Sequence, residues 1–181
     1  MKYGNATLGQ VEAVWNKLGG EDGVNRFLAD KVKIIVQSIL TLLRMETIST
    51  QPAVTTSEKY FQDAGVKWAN DTFKNQFLGI KVEGVEEVTL SIHKLDEASL
   101  DAPILTELGD KAETPISTFR EFLRENHKSQ EWFIFYLRGK DENLWAVSAY
   151  WRAERDGWFV HAHSVADLRG WDASRQVVSC N

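Results

Sequence analysis

Three strand-like runs gather aromatic residues between positions 132 and 165, and no other feature restricts the fold as strongly. They cover residues 132–137, 144–151 and 158–165, each bounded by turn chemistry. Side chains alternate sides along a strand. In the first run Trp132, Ile134 and Tyr136 take one face and Phe133, Phe135 and Leu137 the other, which predicts a central strand covered on both sides. In the second, Trp145, Val147, Ala149 and Trp151 share a face. Asp156-Gly157 predicts a hairpin before the third run, and residues 139–143 a longer turn before the second.

Ahead of this meander the periodicity is mixed. Leu8, Val11, Val14, Trp15 and Leu18 recur at helical spacing until Gly19-Gly20. Val24, Phe27 and Leu28 follow Glu21-Asp22 as a second short face, so the opening reads as a helical hairpin. Residues 31–50 fit two patterns. Val32, Ile35, Val36, Ile39, Leu40 and Leu43 make a helical stripe, while the β-branched content favours a strand. We read a helix through Leu43 and a strand over 46–50.

Further on, a strand at 66–69 precedes a helix capped by Asn70 or Asp71 and closed by Gly79, with Phe73, Phe77 and Leu78 as its apolar face. Val88, Leu90 and Ile92 alternate with Thr89, Ser91 and His93, a strand with one wet face. Asp101 caps a helix over 103–108, and Thr114 caps the next, with Pro115 in its first turn. A last short run spans 176–178. No repeat or linker divides the chain. The expected architecture is a single α+β domain over 1–181: an antiparallel sheet with a C-terminal three-stranded aromatic meander, packed by short helices and an N-terminal helical hairpin.

The 181 residues can bury about 70% of the surface of the unfolded chain. A net charge of −5 works against broad phosphate-backbone binding. A single cysteine, Cys180, has no partner for an intrachain disulfide, which fits a reducing compartment. The opening residues lack a signal-peptide pattern, and the most apolar stretch, 32–43, is shorter than a membrane span of about 20 residues. A cytoplasmic protein is expected, away from membranes and with nucleic acid a disfavoured partner.

Several segments resemble a family of short uncharacterised bacterial proteins. They are the opening VEAVWNKLGG from Val11 to Gly20, Phe77-Leu78-Gly79, the stretch from His93 to Ile104, and the ending from Gly157-Trp158 through Ser164-Val165 to Gly170-Trp171 and Arg175 to Ser179. The resemblance implies a bacterial origin and one continuous domain. It implies no activity, cofactor or catalytic residue.

Chemistry is less legible. His161 and His163 at i and i+2 put both imidazoles on one strand face, where they could ligate a metal or do acid–base work. Glu86-Glu87 and Asp96-Glu97 read as solvated surface. The helical hairpin suggests a DNA reader, but Glu21 and Asp22 would repel phosphate at the head of its second helix. No phosphate loop, nucleophile elbow or zinc-protease motif is present, and no motif calls for a cofactor. The leading expectation is a non-enzymatic binding or interaction module with a protein as one candidate partner, and exposed members of Tyr150, Trp151, Trp158 and Trp171 as its ligand surface. The alternatives are a small metal-dependent or acid–base enzyme using the His161/His163 face, and a nucleic-acid-binding regulator.

Overall fold

The computed structural model describes residues 7–29 and 38–181, the first stretch belonging to one compact unit and the second to another. The first is the expected helical hairpin, α1 (Leu8–Lys17) and α2 (Gly20–Leu28). Thr7 and Gln10 cap α1 reciprocally: the Gln10 amide donates to Thr7 Oγ1 at 3.3 Å, and the Thr7 amide to Gln10 Oε1 at 2.8 Å. Gly19 and Gly20 turn the chain with φ of +88° and +72°, values that favour glycine. Leu8, Val11, Val14, Trp15 and Leu28 remain exposed.

The second unit is a seven-stranded sheet with helices, an α+β fold. Its strands are β1 (Leu40–Ile48), β3 (Val66–Ala69), β5 (Val88–Leu95), β6 (Trp132–Arg138), β7 (Leu144–Arg152), β8 (Gly157–Ser164) and β9 (Gln176–Cys180), in the order β1-β5-β9-β6-β7-β8-β3. A separate ribbon pairs β2 (Val54–Thr55) with β4 (Lys81–Val82). Within the large sheet only β6–β9 and β3–β8 run parallel. The aromatic runs become β6, β7 and β8, adjacent and antiparallel. Asp156-Gly157 closes the hairpin between β7 and β8: a 3-10 turn over Ala153–Arg155 and Asp156 at φ 45° make the loop, and Gly157 already pairs with Arg152.

Two cores lie on opposite faces of the sheet. On one, α3 (Glu58–Gln62), α4 (Asp71–Phe77) and α6 (Ile116–Glu125) bring Phe61, Phe73, Phe77, Phe119 and Phe122 onto Phe133, Phe135, Val147 and Trp158. The rings meet edge-to-face, as between Phe119 and Phe135 at 4.9 Å, a geometry that suits their quadrupoles. On the other face α5 (Asp101–Leu108) sets Ile104 against Leu95, Ile134, Tyr136 and Val177.

Local signals explain several elements and miss others. Asn70 caps α4 by accepting the Phe73 amide at 3.0 Å. Thr114 and Asp101 do not cap: the N-caps of α6 and α5 are Pro115 and Leu100. The expected helix through Leu43 is corrected to a strand over 40–43, and residues 31–37 of that expectation lie outside the described residues. There β1 pairs with β5 and is bulged between Leu42 and Arg44. The extra residue shifts the alternation, so Leu40 joins one core and Ile48 the other. β5 is not wet on one face either: on the face expected to be wet Ser91 is buried and Thr89 and His93 are half-buried.

Candidate functional site

Helix α5 covers only part of its sheet face. Beyond it the face carries Trp132 from β6, Ser148 and Tyr150 from β7, and His161 and His163 from β8. Register fixes their neighbours: Ser148 lies opposite His161, and Ala146 opposite both Tyr136 and His163. The segment between β8 and β9 folds back over these residues. It is tied down where Ser99 and Trp171 exchange backbone hydrogen bonds of 3.1 and 2.7 Å. Gly170 allows this approach, because a Cβ there would lie 3.2 Å from the Ser99 carbonyl oxygen. The result is a cavity of about 410 Å³ walled by Trp132, Tyr150 and Trp171, floored by the two histidines, and rimmed by Arg169, Asp172 and Arg175.

Beside the cavity sits an unusual carboxylate. Asp101 is fully buried, although aspartate at a helix start is usually solvated. Its Oδ1 accepts the Tyr136 hydroxyl at 2.8 Å and the Trp171 indole N–H at 2.7 Å. Burial, and then the adjacent Asp101 charge, push the Tyr136 phenol far above its ordinary value, so it stays a donor. Oδ2 has no hydrogen-bond partner among the described residues and lies 3.7 Å from Nε2 of His163, which is buried and likewise unpartnered. That separation lets a ring N–H and the carboxylate attract one another but is too long for a hydrogen bond. The alanine at 146 leaves room for the carboxylate between Tyr136 and His163, one strand to either side.

The remaining polar groups are held from the rim. His161 Nε2 lies 3.4 Å from the Tyr150 hydroxyl, and its ring tilts against Trp68 at 4.7 Å. Burial, reinforced by the positive charge of Arg152, holds His161 below the ordinary histidine value. The Arg175 guanidinium stacks over Trp132 at 3.6 Å from the ring centre while one N–H reaches Asp172 at 3.3 Å. Arg169 makes a two-pronged pair with Asp167 at 2.9 and 2.7 Å.

Of the residues singled out in the sequence, the fold brings together Tyr150, Trp171, His161 and His163. Trp151 and Trp158 fall on the opposite face of the sheet. Trp158 is fully buried and donates its indole N–H to the Leu123 carbonyl at 2.8 Å, and Trp151 packs edge-on against it at 5.5 Å. Among the described residues no group of three or more His, Cys, Asp or Glu side chains is placed to hold a metal ion, and no helix is long and apolar enough to cross a membrane. Sequence reasoning missed Asp101, Trp132, Arg169 and Arg175. Trp132 carried the only usable signal, a position across the sheet from Tyr150 once the two runs are paired. Comparison with protein-family models, with curated proteins and with solved structures finds no match.

Proposed function

We propose that the 38–181 unit is a binding module, bacterial and cytoplasmic, whose cavity takes a small flat molecule carrying a carboxylate or similar anionic group. The observation that carries this reading is the cavity itself. Its volume of about 410 Å³ falls within the range of small-molecule sites, and aromatic faces meet polar groups across it. Tyr150 and Trp171 offer ring surface for stacking. Arg175 offers an anion a fork of donors, only one of which reaches Asp172, and its stacking on Trp132 limits the freedom lost on binding.

Calorimetric titration with phenylacetate, a flat ring bearing one carboxylate, tests the reading. The expected result is saturable binding to the wild-type protein that weakens by tenfold or more in Arg175→Ala, about the loss of one hydrogen bond to a charged group. Absence of saturable heat with phenylacetate and with its longer aryl homologues would contradict it.

A further inference from the structure

We propose that His163 is a general base of this cavity and that Asp101 positions it, so that a flat carbon acid bound there, of the aryl 2-oxo acid class, undergoes proton exchange at the carbon next to its ketone. The inference rests on the cavity binding such a ligand.

Asp101 is the starting point. A carboxylate removed from water is costly unless a charge or donors compensate it. Among the described residues no lysine or arginine pairs with Asp101, and the basic side chain that faces its second oxygen is His163, with Nε2 at 3.7 Å. A structural role would not need a charge, because an asparagine oxygen could accept from Tyr136 and Trp171 equally well. What the carboxylate adds is its second oxygen, directed at the imidazole.

That placement selects a tautomer. A lone pair on Nε2 would face the carboxylate oxygen and be repelled, whereas an N–H there is attracted. The proton therefore sits on Nε2 and the lone pair on Nδ1. Nε2 is buried, while the His163 side chain retains 17% exposure and lines the cavity, so the exposed part of the ring lies away from Nε2. A basic nitrogen is presented to the ligand and an acidic partner stands behind it, the arrangement that makes histidine an effective base. Proton uptake at Nδ1 creates an imidazolium whose charge Asp101 balances at once.

The step closes without a redox partner. The carbon–hydrogen bond next to the ketone breaks, its proton bonds to Nδ1, and the electron pair moves to the ketone oxygen to give an enolate. Water supplies a proton to that oxygen to yield the enol, or the imidazolium returns one to carbon and restores the ketone. In heavy water the proton held on Nδ1 exchanges with solvent before the return step, so the ligand gains deuterium. Stacking on Trp171 would hold the ring, and a guanidinium at the rim the carboxylate.

Phenylpyruvate in heavy water, followed by proton NMR at its methylene group, is the test. The full chain should accelerate deuterium uptake over buffer, with His163→Gln and Asp101→Asn each lowering the rate by about 100-fold, the scale of general-base catalysis. Asp101→Asn should act mainly on kcat rather than KM. Nitrogen-15 NMR should find His163 protonated on Nε2 in the wild type, with that preference lost in Asp101→Asn. The wild-type tautomer is read without any variant, so the test stands even where Asp101→Asn does not fold. An Nδ1–H tautomer, or exchange no faster than in His163→Gln, would overturn the proposal. If phenylacetate still binds in that case, only the proton-transfer inference fails; if phenylacetate does not bind, both readings fail.

Discussion

The Trp158 indole N–H ends on the Leu123 carbonyl inside a core of phenylalanines. Trp158→Phe keeps an aromatic ring but strands that carbonyl, so it should cost about 1–3 kcal/mol in denaturant unfolding. His93 predicts a pH dependence. Burial holds it below the ordinary value of 6.5, opposed in part by Glu107 and aided by Lys111. The unfolded chain then takes up a proton at higher pH than the folded one, and stability falls as pH drops through 6.5 towards the folded value. Between about pH 7.5 and 5.5 the melting temperature of the wild type should fall further than that of His93→Gln. Asp101 shows why a residue's role was hard to read from its neighbours. An aspartate ahead of Ala102-Pro103 looks like a helix cap, and only Tyr136 and Trp171, 35 and 70 positions away, turn it into a buried acceptor.

Elements whose causes are local were the legible ones. β3 and α4 follow from a short apolar alternation and the Asn70 cap, and both stand where the pattern puts them. β6 to β8 were legible because aromatic alternation is dense and the turns are marked. The strand character of 40–43 was not, since a bulge disguises its period. Neither was the insertion of β9 between β5 and β6, which no feature of Gln176-Val177-Val178 encodes. The edge pairing of β3 with β8 rests on a close approach at Gly157, where a Cβ would stand 2.9 Å from the Gly65 carbonyl oxygen and closer still to the Lys67 side chain. Gly157→Ala should cost about 1–3 kcal/mol through overpacking. Hydrogen exchange should then quicken first at the amide of Asn70, which bonds to Val160 in that pairing.

At the scale of the whole molecule, the cavity is built from parts distant in sequence, three strands of the meander and the segment pinned to Ser99, with the head of α5 beside it. A fold reading can place the strands, but the covering segment has no periodicity to betray it, which is why the arginines were missed. Residues 38–181 carry both cores and every cavity residue. Expressed alone, that stretch should unfold cooperatively at a melting temperature close to that of the full chain, and a molten or insoluble product would contradict the prediction. The most direct test of the account is phenylacetate titrated into the full chain, with the indole N–H signals of its seven tryptophans followed by NMR. Saturable shifts at Trp132 and Trp171, with Trp15 and Trp158 unmoved, are the predicted result. No saturable shift, or shifts confined to Trp15 in the helical hairpin, would contradict it.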